Sequence, residues 1–533
     1  MGSADFEAAL EDSLRGRSEK GQSQLRRLIE RVQQRPLKAR SVIIEEGYID
    51  RDYLDEHGAF YSRAFKPYGP RCNRLHFFRA ALDSDAIALE RLQASYVGFA
   101  VIRPGDLPPL GRTVLQPYRR NPNRHFFPCV AMFYSSLQGV TLEVEGMPFL
   151  QQEAQVGRCA QAALWMTARY MSRRFRHREF RPSEVNALAK RHMALGRTLP
   201  AEWGLCPAQV LDALEGMGFS AIHYERKLMD ECSRFLEGAY LANNPPQDAA
   251  DRVRLARQQD AKLADIVYRY VESGLPVILQ SADHAVVAIG HSYEHRPKKA
   301  IRAAIQRIPS FFIHDEGVGP YEEMPILEYE YALVRADSKI TFWFSDVHTV
   351  FAVVPAGVTL RGESAEARAR ETVRGFIQSK VGAQRSKRKP SAHGRTMGDH
   401  LQRMHPEVAV DLSQLEYRTY LLPDHEWQAR LREEMNDGTL GPVFGQALLM
   451  LDYPKYVWVT EISSSPLLAR PARQQRLCLG RVIVDSTAPS GTEATLATHI
   501  LDFLQLPAPD TAHPASPPHY EPGYAPFRHR VFS

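Results

Sequence analysis

The chain has 533 residues, 44 % of them hydrophobic and 24 % charged, with a formal net charge of +5. This is ordinary globular composition, with room for roughly two to four domains and a core that needs no covalent staples. It excludes wholesale disorder, a collagen-like repeat and a disulfide scaffold, and its mildly basic balance permits acidic partners without requiring them.

No apolar run is long enough to span a bilayer, so a membrane is not expected as a partner. The N-terminal residues MGSADFEAALEDSLRGRSEKGQ contain neither an apolar core nor a small-residue cleavage site, which argues against a secretory signal. Six cysteines (Cys72, Cys129, Cys159, Cys206, Cys232 and Cys478) are scattered without a CxxC pair. That spacing argues against a zinc ribbon and a disulfide framework, and points to a reducing, cytoplasmic setting.

Taken in chain order, residues 1–40 form a polar helical arm, with Leu25, Leu28, Ile29 and Val32 at helical spacing. Residues 41–150 read as a mixed α/β domain. SVIIEEGYI and SYVGFAVIRP are strand-like, and GVTLEVEGMPF places Val140, Leu142 and Val144 on one face. Residues 151–360 begin with a Cys-led helix, CAQAALWMTARYMSRRF. PAQVLDALEGMGF and ADIVYRYVESG are two further helices, and LPVILQ, HAVVAIGHSY, SFFIHD, KITFWFS and TVFAVVP are strands. Helices followed by a run of strands make this an α+β pattern. Residues 361–400 are a helical and then basic linker. Residues 401–505 are a C-terminal α/β domain, with EWQARLREEM and THILDFL as helices and KYVWVTEI and LGRVIVDSTA as strands. Residues 506–533 are a Pro-rich tail.

Three segments of the central region carry chemistry. Cys159 opens a helix, where the positive end of the macrodipole and unpaired amides favour a thiolate nucleophile and can bind an oxyanion. His284 opens a strand after the polar turn SADH and is placed to act as a general base. Asp315 ends the apolar strand SFFIHD before a Gly-rich turn, where a carboxylate can fix the imidazole tautomer.

The order Cys159, His284, Asp315, with the phrases QQEAQVGRCAQAALW, HAVVAIGHSY and GLCPAQVLDALEGMGF, resembles the papain-like cysteine peptidases. Within them it is most similar to the bacteriocin-processing (double-glycine leader) peptidases, and the likeness covers residues 151–360 only. It implies a papain-like domain, a Cys-led helix packed on an antiparallel sheet, flanked by mixed α/β regions. It also implies a Cys–His–Asp triad, a thioester acyl-enzyme, a peptide or protein substrate and a bacterial source. In that family a glutamine upstream of the cysteine completes the oxyanion hole; here Gln152 and Gln155 both stand near the required offset. Ala160 occupies the position after the cysteine where many papain-like enzymes carry glycine. Peptidase, deamidase and acyl transferase share this triad, and an inactive fold serving as a protein-interaction module is the alternative. The flanking regions are candidate surfaces for a protein partner.

The remaining features have plainer readings. RRFRHREFR (173–181) and RSKRK (385–389) lack any accompanying nucleic-acid-binding signature, so a solvated face is expected and nucleic acid is not expected as a partner. No HExxH spacing occurs, and neither a catalytic metal nor a cofactor is expected. Asp485 reads as a turn residue and Trp165 as helix packing.

Overall fold

The β-branched and aromatic runs of the chain are collected into antiparallel sheets, and the helices cover them. The structure is a computed structural model that describes residues 11, 13–14, 16–82, 89–152, 158–189, 204–226, 249–294, 304–326, 342–385, 415–438, 440–464, 468, 477–489, 494–500, 503–506 and 527–528. Its contacts divide the chain into two units. The first comprises Met1–Asp260, Gly274–Ser292 and Ser310–Ala356, and the second comprises Ala261–Ser273, Tyr293–Pro309 and Gly357–Ser533.

In the first unit, helix α1 (Glu19–Gln33) starts at Ser18, whose hydroxyl accepts from Gly21 N, and buries the expected Leu25, Leu28, Ile29 and Val32. Strands β1 (Ser41–Tyr48), β2 (Cys72–Phe78), β3 (Tyr96–Ile102), β4 (Leu110–Leu115), β6 (Ala131–Leu137) and β7 (Val140–Phe149) form a sheet of order β1-β2-β3-β4-β7-β6. Gly98 of β3 has φ +134°, and a Cβ there would lie 2.1 Å from Val114 O, so only glycine permits β4 to approach. Helices α2 (Arg51–Ala59) and α3 (Leu89–Ser95) connect this sheet, and Asp50 caps α2 by accepting from Asp52 N and Tyr53 N.

A second sheet of the same unit has the order β12-β11-β10-β9-β13-β8. It is built from β8 (Phe219–Glu225), β9 (Val277–Gln280), β10 (Ala285–Ser292), β11 (Ser310–Asp315), β12 (Gly319–Pro325) and β13 (Thr349–Pro355), with the short β5 (His125–Phe126) paired to β10. Helix α4 (Cys159–Phe175) packs on β9 and β10 and is buried from Ala160 through Ser172. Helices α5 (Pro182–Leu188) and α6 (Pro207–Gly216) pack beside it.

The boundary drawn from sequence at residue 150 falls inside this unit. The reason is hydrogen bonding between the two sheets: Tyr321 OH donates to Leu115 O at 2.8 Å and accepts from Met147 N at 3.0 Å. The arm is tied in as well, since Arg31 pairs with Glu322 at 2.5 Å. Helix α7 (Ala249–Glu272) is longer than ADIVYRYVESG alone suggests, and its last turns belong to the second unit together with 293–309.

The second unit contains β14 (Leu415–Pro423), β15 (Tyr456–Ser464), β17 (Gly480–Asp485), β18 (Thr495–Ile500) and β19 (Phe503–Gln505) in one antiparallel sheet. A two-stranded ribbon joins β16 (Leu477–Cys478) to β20 (Phe527–Arg528). Helix α8 (Gly362–Arg385) packs on β14, β15 and β17. Helices α9 (Asp424–Asn436) and α10 (Pro442–Leu449) bury Trp427, Leu431, Phe444 and Leu448 with Val457, Val459 and Ile483.

Two sequence expectations are corrected here. The described residues of THILDFL, Thr498–Ile500 and Phe503–Leu504, are strand rather than helix, because Thr498, His499 and Ile500 pair with Val482, Arg481 and Gly480 of β17 and with β19, and Leu501 and Asp502 lie outside the described residues. In KITFWFS the described residues Phe342–Ser345 are not strand: Phe344 and Ser345 enter a 3₁₀ turn (Phe344–Asp346), and Lys339–Thr341 lie outside the described residues. The tail beyond Leu506, apart from β20, and RSKRK beyond Arg385 also lie outside them.

The second unit's sheet carries a buried ion network. Arg418 pairs with Glu272 at 2.5 Å and with Glu461 at 2.7 Å, while Arg430 reaches Glu461 at 2.5 Å. Paired charges of this kind tolerate burial, but removing one partner strands the others in a low-dielectric setting. Glu461→Gln is therefore expected to lower unfolding free energy by about 3 kcal/mol in urea titration. A loss below about 1 kcal/mol would show that the two arginines are solvated rather than dependent on Glu461.

Candidate functional site

The site assembles from three chain segments of the first unit. Cys159 is the first residue of α4. The first intrahelical bond runs from Ala162 N to Arg158 O at 3.0 Å, so the amides of Cys159, Ala160 and Gln161 have no intrahelical acceptor. The Gln161 side chain turns back to accept from Arg158 N at 3.1 Å, which fixes the helix start. Lower down, Arg169 of α4 pairs with the buried Asp52 at 2.5 Å and with Glu179 at 2.6 Å.

His284 immediately precedes β10 and is held by the SADH turn. Its backbone N donates to Ser281 Oγ at 3.1 Å, and its O accepts from Ser281 N at 2.8 Å. The Phe342 ring meets the imidazole edge-on at 5.5 Å and shields part of it. The side chain keeps 23 % of its surface exposed, so the site is open on one side.

Asp315 ends β11. Its Oδ1 lies 3.1 Å from His284 Nε2 and also accepts from Gly317 N at 2.9 Å. The next residue, Glu316, places Oε1 3.2 Å from His284 Nδ1. Along a regular strand, consecutive side chains point to opposite faces. Here the β11–β12 register shifts between Ile313 and Asp315, and the chain turns with Val318 N donating to Asp315 O at 3.0 Å. That turn brings two adjacent carboxyl groups onto one imidazole.

Cys159 Sγ, one His284 ring nitrogen and one Glu316 carboxyl oxygen all lie within 4.8 Å of one another. The three sequence-selected residues Cys159, His284 and Asp315 thus meet at one place. Glu316 is the member that sequence reading missed; the acidic pair before the GVG turn was its only signal, and strand alternation pointed it away. The absence of HExxH spacing bears only on ligands along one helix, whereas this thiol, imidazole and carboxyl come from three separate segments and together could hold a cation.

The electrostatics follow from this geometry. Burial opposes the charged form of His284. Hydrogen bonds with Asp315 and Cys159 and the charges of Glu316 and Asp315 outweigh it, raising its pKa to about 11. Glu316 is fully buried, and burial pushes its carboxyl up to about 8 against the attraction of His284. His314, next to Asp315 in FIHD, is fully buried against Phe149 and Tyr321 and held neutral, its pKa lowered by burial to about 3.

The glutamines separate. Gln151 is buried and structural, its Oε1 accepting from Leu110 N at 2.9 Å. Gln152 is half-buried just beyond β7, and Gln155 lies outside the described residues. The other candidates have structural roles. Asp485 Oδ1 accepts from Thr487 N at 2.7 Å within a turn, and Trp165 is buried in α4. In the 173–181 cluster, Arg173 pairs with Glu179 at 3.4 Å, and Arg178 pairs with Glu184 while lying over Phe180. Five of the six cysteines lie among the described residues and all five are free; Cys232 lies outside them. No helix among the described residues is long and apolar enough to cross a membrane. No protein-family model, no curated protein and no solved structure matches this chain.

The raised carboxyl has a consequence for stability. Unfolded Glu316 ionises near 4.5 and the folded group near 8, so the folded state keeps a proton that the unfolded chain releases. Its contribution to stability is full below 4.5 and is lost as pH rises through 8. His284 acts in the same sense, its contribution being full below 6.5 and lost as pH rises through about 11. The urea midpoint of the wild type is expected to fall from pH 5 to pH 9. Glu316→Gln is expected to fall less, with a gain over wild type on the order of 1–3 kcal/mol at pH 9. Parallel pH profiles would contradict the burial of an ionisable Glu316.

Proposed function

We propose that this chain is a papain-like cysteine hydrolase acting on peptide or protein substrates. The single observation that carries the reading is the imidazole of His284, which has a ring nitrogen within 4.8 Å of the Cys159 sulfur and is bonded through Nε2 to Asp315. That is the donor–orienter arrangement of a nucleophilic triad. The first-turn amides of α4 supply oxyanion donors, and Gln152 is the described glutamine near enough in sequence to add a side-chain donor.

In this reading Cys159 attacks the substrate carbonyl as a thiolate, its proton having passed to His284. A tetrahedral intermediate forms with its oxyanion on the Cys159 amide. The imidazolium then protonates the leaving amine as the carbon–nitrogen bond breaks, which leaves a thioester on Sγ. Water, deprotonated by the imidazole, attacks the thioester, releases the acid and restores the thiol. An amine acceptor in place of water gives acyl transfer, and a side-chain amide in place of the peptide bond gives deamidation; the triad is the same for each. The free cysteines fit action in a reducing cytoplasm.

Alkylation by iodoacetamide with peptide mass mapping tests this. Cys206 is also partly exposed and opens a helix, so it serves as the internal control. Cys159 is expected to react at least about tenfold faster than Cys206 at pH 6–7, and His284→Ala is expected to remove that advantage. Equal rates at the two cysteines, or no effect of His284→Ala, would overturn the hydrolase reading.

A further inference from the structure

We propose that Cys159, His284 and Glu316 form a binding site for a borderline-soft divalent cation of the Zn²⁺ class, occupied in competition with the nucleophilic form of the thiol. The three donors are a sulfur, an imidazole nitrogen and a carboxyl oxygen, delivered by a helix start, a strand start and a hairpin turn. Their mutual separation of no more than 4.8 Å brackets the roughly 3.3–3.8 Å edges of a tetrahedron around Zn²⁺ with ligands at about 2.0–2.3 Å. Thiolate and imidazole donors select Zn²⁺ over Mg²⁺ and Ca²⁺.

The independent observation is Glu316. It is fully buried, and neither carboxyl oxygen has a hydrogen-bond partner. Its 3.2 Å approach to His284 Nδ1 lacks hydrogen-bond geometry. A buried carboxyl whose oxygens both lack a hydrogen-bond partner is costly and rare in a folded protein. A cation between Sγ, Nδ1 and Oε1 satisfies it directly.

Asp315 completes the arrangement. It bonds the opposite ring nitrogen, as the outer carboxylate does for metal-bound histidines. Three protein ligands leave a fourth position for water on the side where His284 is exposed. Binding releases to solvent the proton shared between the Cys159 thiol and His284 Nδ1, together with the proton of Glu316 where that carboxyl is neutral, and uses the sulfur lone pair that attack on a carbonyl requires. The cation site stands on geometry alone; that its occupation silences the enzyme rests on the hydrolase reading.

The test uses the full chain, stripped with chelator and titrated with Zn²⁺ by calorimetry and with Co²⁺ by absorption. One equivalent of each is expected to bind. A thiolate-to-cobalt charge-transfer band is expected in wild type and absent in Cys159→Ser. Glu316→Gln is expected to weaken Zn²⁺ binding at least about tenfold, and Glu316→Asp, which retains the carboxylate, to fall between it and wild type. Zn²⁺ is also expected to protect Cys159 from iodoacetamide.

No charge-transfer band in wild type, or equal Zn²⁺ affinity in Glu316→Gln and wild type with both folded by circular dichroism, overturns the proposal. A fast-reacting apo Cys159 without cation binding removes this site and leaves the hydrolase. Cation binding with an unreactive apo thiol keeps the site and removes the hydrolase.

Discussion

The site depends on a hairpin turn that presents two consecutive carboxyl groups to one imidazole. Asp315 spends its oxygen on His284 Nε2 and on the amide of Gly317, so its charge is well solvated by protein donors. Neither carboxyl oxygen of Glu316 has a hydrogen-bond partner, and burial pushes this group up to about 8. One local structure thus gives adjacent acids two environments, an orienter bonded to the imidazole and a buried carboxyl beside it. A regular strand could not do this, because its alternation sends neighbours to opposite faces; the register shift at the end of β11 is what permits it.

The rest of the first unit holds the other two partners against that turn. Helix α4 is buried from Ala160 through Ser172, so its start cannot slide without disturbing the core. The pairing of Arg169 with the buried Asp52 ties the same helix to α2, which Asp50 caps. Tyr321, on the strand that follows the turn, bonds Leu115 and Met147 of the first sheet. The residues before 150 are therefore structural support for the site. Removing them would strip hydrogen-bond partners from β12 and an ion pair from α4.

Much of this was legible in the sequence because it rests on local pattern. The helical stripe of Leu25, Leu28, Ile29 and Val32, the strand TVFAVVP and the helix start at Cys159 need only short-range information. The proximity of Cys159, His284 and Asp315 was legible because residue types and order are strong signals together. THILDFL failed because its apolar spacing suits a helix, while pairing with β17 and β19 decides the outcome. The link across residue 150 was not legible because Tyr321, 171 positions downstream of residue 150, bonds Leu115 and Met147, and spacing along the chain carries no trace of such a bond. Glu316 escaped because its position depends on a register shift that composition does not encode.

His284 is kept protonated by its neighbours, against burial, while facing the Cys159 sulfur, whose proton it takes in the proposed reaction. The most direct measurement is the ring-nitrogen chemical shifts of His284 by NMR across pH, with the imidazole labelled with ¹⁵N and the chain free of metal. The account predicts an imidazolium that persists well past pH 9, and a large downward shift of its titration in Asp315→Asn. Titration of the wild-type ring near the ordinary value of about 6.5, unmoved by loss of Asp315, would contradict it.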